Sequence, residues 1–185
     1  MITEAIRTVP AGAPGVYCML DFDGEPAYAG QTSNLRSRLK QHFIRQDSSV
    51  VSYGRLDIWD IACVDWWKTP NKDQAEKALL SKYQPYLNFD AEISAPTETA
   101  VIDVENPDGT IELVSKEELE FRSEPYNRSK QKLEHILRMM DKIKLAGHSK
   151  DTKETLYEHQ RIFSENIAEF LGIEPEYRKS KIGDW

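Results

Sequence analysis

Apolar positions in the first ninety residues fall into short runs separated by turn residues, and their period changes from run to run. Residues 15–20 (Gly-Val-Tyr-Cys-Met-Leu) form one run, followed by Asp21, Phe22, Asp23 and Gly24, so a strand and a turn are predicted. Pro26 to Ala29 reads as the returning strand of a hairpin. Thr32, Ser33 or Asn34 supplies the cap of a helix in which Leu35, Leu39 and Phe43 recur at helical spacing and face the core. Residues 56–67 are rich in strand formers with partial alternation and predict a central strand, ended by Pro70 and Asn71. A second helix runs from about residue 72 to 83, stopped by Pro85.

The pattern changes after residue 90. Residues 91–98, with Pro96 inside, read as a linker. Residues 99–104 and 110–114 read as two strands of a hairpin joined by Asn106, Pro107, Asp108 and Gly109. Ser115 and Glu118 have capping-box spacing for a short helix. Two longer amphipathic helices follow over 127–146 and 152–171. Leu133, Ile136, Leu137 and Met140 stripe the first; Leu156, Phe163, Ile167 and Phe170 stripe the second. Gly147 and Gly172 are natural terminators, and an antiparallel helix pair is the simplest arrangement. The reading is a mixed α/β (α+β) chain: a compact domain over 1–90, then an accessory region over 91–185.

Charge sharpens this division. The chain has 185 residues and a formal net charge of −7. Its excess sits in residues 91–124, which carry 10 acidic side chains against 2 basic ones. The flanking regions are near neutral and can present local positive surfaces. No apolar run is long enough to span a bilayer, and the N-terminus lacks a basic-then-apolar leader, so a cytoplasmic chain without a membrane partner is expected. Cys18 and Cys63 sit in apolar, strand-like stretches and read as small core residues.

On the first predicted helix, Asn34, Arg38 and His42 are spaced by four and share a face distinct from the apolar stripe. Tyr17 and Tyr28 of the hairpin can meet that face in a cleft, while Arg36 and Lys40 lie on another surface, free for phosphate contacts. The alternative is core tyrosines and a solvated arginine. Glu76 borders the buried stripe of Ala75, Ala78 and Leu79, so its carboxylate is half buried and needs donors or a cation to stay ionised. A salt bridge, for instance to Arg38, satisfies that need. So does a hard divalent cation, most plausibly magnesium held largely through water and substrate phosphate.

Gly15-Val16-Tyr17, Tyr28-Ala29-Gly30, Asn34-Leu35, Arg38-Leu39, His42-Phe43, Glu76, and Lys82-Tyr83-Gln84-Pro85 before Asn88 together resemble the GIY-YIG nuclease family over roughly residues 12–90. The resemblance implies a three-stranded, mainly antiparallel sheet flanked by helices. It implies Tyr17 as general base or positioner of the attacking water, Tyr28 as a hydrogen-bond partner of the scissile phosphate, and Arg38 as stabiliser of its developing charge. His42 would assist proton transfer or phosphate binding, Glu76 would hold one Mg2+ (or Mn2+), and Asn88 would brace the site. Val16 and Ala29 replace the isoleucines of the motif. Gln31 stands where some relatives have lysine, which puts lysine-assisted proton transfer in doubt; here it is a candidate nucleic-acid contact.

The implied activity is metal-dependent DNA endonucleolysis leaving 5′-phosphate and 3′-hydroxyl ends, with restriction or anti-phage defence as its setting. Repair and mobile-element nucleases are rival settings, and a non-catalytic nucleic-acid-binding or scaffold subunit is the alternative class. DNA is the expected partner, with a homodimer or larger defence complex alongside. Arg128, Lys130, Lys132, Arg138, Lys142 and Lys144 on the first long helix are candidate backbone contacts, against the alternative of a solvated face.

Overall fold

The computed structural model describes residues 1–97, 101–146 and 149–174. Strands β1 (Gly15–Asp21) and β2 (Pro26–Thr32) pair antiparallel around Gly24, whose φ of 76° suits a residue without a side chain. Strand β3 (Ile61–Lys68) pairs antiparallel with the other edge of β1, so the predicted central strand is central. It starts later than expected, because Asp57 accepts from Trp59 N and winds residues 58–60 into a short 3-10 turn.

The sheet has four strands, in the order β2-β1-β3-β4, where three were expected. Strand β4 (Gly109–Glu112) pairs with β3, not with a hairpin partner. Of the expected partner strand, residues 99–100 lie outside the described residues and residues 101–104 are bends and turns. Val101, Ile102 and Val104 instead pack on the cluster of Val16, Trp67, Ala75 and Leu79. Trp67 Nε1 donates to Asp103 O and Tyr83 Oη to Val104 O, anchoring this segment by single bonds. The open edge of β3 then goes to β4.

Each face of the sheet carries a core. On one face Tyr17, Met19, Val64 and Trp66 pack with helix α1 (Ile2–Thr8) and helix α2 (Leu35–Phe43) through Ile6, Leu35, Leu39 and Phe43. On the other, Val16, Cys18 and Trp67 pack with helix α4 (Lys72–Tyr83) through Ala75, Leu79 and Leu80. A one-turn helix α3 (Ser49–Ser52) lies between α2 and β3. The first core also contains Ile111, Leu113 and Ile162, so residues beyond 90 complete it.

The helix predictions after residue 114 hold in outline. Helix α5 (Lys116–Ser123) starts at Ser115, whose hydroxyl accepts from Glu118 N. Helices α6 (Pro125–Ala146) and α7 (Lys150–Leu171) form an antiparallel pair: Tyr126 near the start of α6 stacks on Phe170 near the end of α7, with Lys132 and His135 against His159 midway. Gly172 ends α7 at φ 66°, and Gly147 lies outside the described residues.

The faces these helices bury differ from the expected stripes. Leu133, Leu137 and Met140 are exposed, Leu156, Phe163 and Ile167 half-buried, and Phe170 exposed; only Ile136 is buried as predicted. The inward residues include Arg128, Ser129, Lys132, His135 and Met139 on α6, and Thr155, Glu158, His159, Ile162 and Asn166 on α7. Acidic residues of the first half explain this. Arg128 forks onto Asp23 at 2.9 and 3.2 Å. Lys132 is fully buried against Asp60. His135 Nε2 and His159 Nε2 both donate to the carbonyl of Gly54, at 2.9 and 2.8 Å.

Candidate active site

Tyr17 stands on β1 opposite Gly30 of β2, and Tyr28 lies diagonally across the pair with its ring centre 6.4 Å away. The close approach needs Gly30: a Cβ there would sit 2.6 Å from Tyr17 Oη. Helix α2 is capped by Asn34, whose side chain accepts from Ser37 N and Gly12 N, so Asn34 serves the backbone and not the cleft. One and two turns on, Arg38 and His42 face the tyrosines. Together with Gly30, Gln31, Ser49, Val50 and Glu76 they line a pocket of about 140 Å3.

Proton-handling groups within it are connected. Tyr17 Oη and His42 Nε2 share a hydrogen bond of 2.8 Å, and His42 Nδ1 shares another of 2.8 Å with Ser48 Oγ. All three side chains are buried. Burial, with Arg38 as a second cause, holds the His42 imidazole down to about 3, so it is neutral at ordinary pH. Burial also pushes the Tyr17 phenol well above its usual value; Tyr28 and Glu76 add to this and Arg38 opposes it. Tyr28 is raised for the same leading reason. The phenols are therefore neutral, and Tyr17 has a neutral imidazole at its hydroxyl. Ser48 was not anticipated; the signal for it was the capping run Asp47-Ser48-Ser49 after the basic helix.

The Arg38 side chain is half-buried and has no hydrogen-bond or ion-pair partner among the described residues, so the alternative salt bridge to Glu76 does not form. An unpaired guanidinium in a concave site awaits an anion. Glu76 sits one turn into α4. Gln31 Nε2 donates to its Oε2 at 2.8 Å, and Lys72 Nζ donates to Gln31 Oε1 at 2.6 Å. Burial raises the Glu76 carboxyl above its ordinary value, with Gln31 and Lys72 among the opposing causes. Among the described residues there is no group of three or more His, Cys, Asp or Glu side chains able to cage a metal. One carboxylate beside a pocket of about 140 Å3 fits a hard divalent cation that keeps several waters and relies on substrate phosphate, better than a softer ion that needs several protein ligands.

Asn88 lies behind the pocket. Its Oδ1 accepts from Ala29 N at 2.8 Å and its Nδ2 donates to Ala29 O at 3.0 Å, so the side-chain amide copies a strand partner along the free edge of β2. Tyr86 N and Leu87 N continue that pairing to Pro26 O and Ala27 O. The strand carrying Tyr28 is thereby held from both sides.

Other basic candidates fare differently. Arg36 is committed to the end of α1, donating from Nε to Val9 O and from Nη2 to Arg7 O. Arg128 and Lys132 are buried in ion pairs with Asp23 and Asp60, which corrects the expectation that they meet phosphate. Gln31 is engaged by Glu76 and Lys72, with one hydrogen bond at each end of its amide. Lys142 donates to Ser52 O. Lys40 is half-buried, and Lys130, Arg138 and Lys144 are exposed. None of the described helices is long and apolar enough to cross a membrane.

Comparison with known proteins agrees over the same stretch. Residues 13–88 match the family model described as the GIY-YIG catalytic domain. The UvrABC system protein C of Methylococcus capsulatus is 53% identical over 81 residues, covering 42% of this chain and 13% of that protein. The same-named protein of Acidobacterium capsulatum is 32% identical over 90 residues, 47% of this chain and 14% of that protein. The chain thus spans only a small part of these relatives' length. Among solved structures, the GIY-YIG N-terminal endonuclease domain of UvrC from Thermotoga maritima, a point mutant bound to its catalytic divalent cation, is 26% identical. That match covers 47% of this chain and 93% of the other, with a TM-score of 0.37.

Proposed function

We propose that the chain, whose residues 13–88 match the GIY-YIG catalytic domain, is a divalent-cation-dependent enzyme that hydrolyses DNA phosphodiesters to 5′-phosphate and 3′-hydroxyl ends. The observation that carries this is one pocket presenting Tyr17, Tyr28, Arg38, His42 and Glu76 together. Arg38 takes a non-bridging phosphate oxygen and Tyr28 donates to the same group, so negative charge developing on the oxygens meets preorganised donors. Water attacks phosphorus as Tyr17 Oη accepts one of its protons and passes its own to His42 Nε2. The P–O3′ bond breaks, and the leaving oxygen takes a proton from a solvent water to become the 3′-hydroxyl, while His42 returns its proton to solvent. A phosphate paired with Arg38 cancels the second cause that depresses His42, making the imidazole a better acceptor when substrate is bound. Glu76 would hold the divalent cation, Mg2+ in this reading, which when bound would supply Lewis acidity at the phosphate.

DNA repair is the setting we favour over restriction or anti-phage defence, because the relatives matched over these residues are named as components of the UvrABC system. Those relatives offer no support for a homodimer or a defence complex. Of the basic candidates read from the sequence, Lys40, Lys130, Arg138 and Lys144 remain available for DNA backbone contacts. The test is incubation with supercoiled, single-stranded and damaged duplex DNA, in Mg2+ or in chelator. Cleavage by the wild type in Mg2+, absent in chelator and in Glu76→Gln and Arg38→Ala, is the expected result. No metal-dependent product on any substrate refutes the proposal.

A further inference from the structure

We infer that Gln31 and Lys72 are a positioning pair that fixes the Glu76 carboxylate for its cation, an inference resting on the metal-dependent reading above. Lys72 and Glu76 lie one turn apart on α4, the spacing at which a direct ion pair ordinarily forms. Here the side-chain amide of Gln31, brought in from β2, stands between them. Lys72 Nζ donates to Oε1 at 2.6 Å, and Nε2 donates to Glu76 Oε2 at 2.8 Å. The two charges decide which way the amide faces. Turned over, it would set oxygen against carboxylate and NH2 against ammonium, and both contacts would be repulsive.

Helix stability supplies no reason for Lys72. A lysine at the first position of a helix opposes the macrodipole, and lysine ahead of glutamate is the weaker order for a pair on one helix. Lys72 also contacts Asp73, but at 3.4 Å and with Asp73 largely exposed, so that contact contributes little. The 2.6 Å bond to Gln31 is what orients the lysine, and through it the donor on Glu76. Outer partners of this kind set the direction of a ligand atom and hence its affinity for the ion. Lys72 also acts on Glu76 by its charge across one helix turn, but it directs the carboxylate only through Gln31, so any loss of affinity on removing Lys72 must vanish when Gln31 is gone.

The experiment measures Mn2+ binding without DNA, by calorimetry and by electron paramagnetic resonance of the free ion. It compares the wild type with Gln31→Leu, Lys72→Met, Lys72→Arg and the double variant Gln31→Leu/Lys72→Met, with Glu76→Gln as site control. Melting curves of the metal-free proteins report folding separately. Expected are loss of the signal in Glu76→Gln, about tenfold weaker binding in Gln31→Leu, a smaller loss in Lys72→Met, and near-wild-type binding in Lys72→Arg. In the Gln31→Leu background Lys72→Met should weaken binding no further. Unchanged affinity in Gln31→Leu, tighter binding in Lys72→Met, or an equal Lys72→Met effect in both backgrounds overturns the inference and leaves the nuclease reading standing. Absence of any Mn2+ signal dependent on Glu76 in the wild type overturns the metal reading and this inference together.

Discussion

Replacing Lys132 by methionine separates a structural cation from a DNA contact. Lys132 has no exposed surface; its Nζ bonds Asp60, lies 3.3 Å from His159 Nδ1 and stands 4.0 Å from Asp57. Methionine keeps much of the stem's packing but leaves two buried carboxylates facing one another without a cation. Breaking one side of a buried pair costs about 3–5 kcal/mol. Burial already pushes Asp60 upward and Lys132 is the main opposing influence, so Asp60 takes up a proton in the variant and the loss falls near 3 kcal/mol, roughly the lower bound. For a chain of this size that is a drop in melting temperature of about 6–12 °C. Calorimetry and urea unfolding at pH 7.5 measure it. Asp60→Leu added to Lys132→Met should recover part of the loss, since an apolar pair in place of a buried ion pair is often neutral. An unchanged melting temperature together with a weaker salt dependence of DNA binding would refute this account and restore Lys132 to the phosphate interface.

Tyr17→Phe should lower cleavage by about 10²- to 10⁴-fold, the usual worth of a proton-transfer group, while urea unfolding shows a folded protein; near-wild-type turnover would remove Tyr17 from the proton path. Gly30→Ala should also depress turnover, because its methyl meets Tyr17 Oη at 2.6 Å, and turnover equal to the wild type would show that this hydroxyl need not sit there. Stability should fall as the medium is acidified. His42, His135 and His159 all have folded values below their unfolded ones, chiefly through burial, so the unfolded chain binds more protons below about pH 6.5. The three contributions are fully present above that pH and are lost below it, by up to about 1.4 kcal/mol per pH unit for each histidine. Urea unfolding at pH 7.5, 6 and 5 tests the sign, and a flat profile would refute it. Asn88→Leu leaves Ala29 N and O without partners and should destabilise by about 1–3 kcal/mol, read by melting; an unchanged melting temperature would show that the edge of β2 needs no such closure.

The nuclease half was largely legible because its determinants are local and ordered. Strand, turn, strand and capped helix follow one another within residues 15–43, and apolar period alone sets which face of each looks inward. Leu35, Leu39 and Phe43 are buried as read, which turns Arg38 and His42 toward the pocket. Helix α4 begins at Lys72 and ends at Tyr83 as expected, and Glu76 is half-buried. Lys72 was not legible, because it acts through Gln31 on another element; Ser48, close to His42 in the chain, was signalled only by a capping run that the reading passed over.

What residue order alone determined is therefore the local elements, the apolar stripes of the helices in the first half, and the set of reactive side chains there. Tertiary structure decided the fate of the charges. Arg36, Arg128 and Lys132 look like phosphate contacts in a linear reading, and each is consumed by a carbonyl or carboxylate brought from elsewhere. Helices α6 and α7 turn polar faces inward for the same reason, since Asp23, Asp57, Asp60 and the Gly54 carbonyl wait for them. Periodicity reports which face of a helix is apolar. It carries no information about an opposite charge more than seventy positions away, and it is that pairing which makes burying a lysine less costly than leaving two aspartates alone.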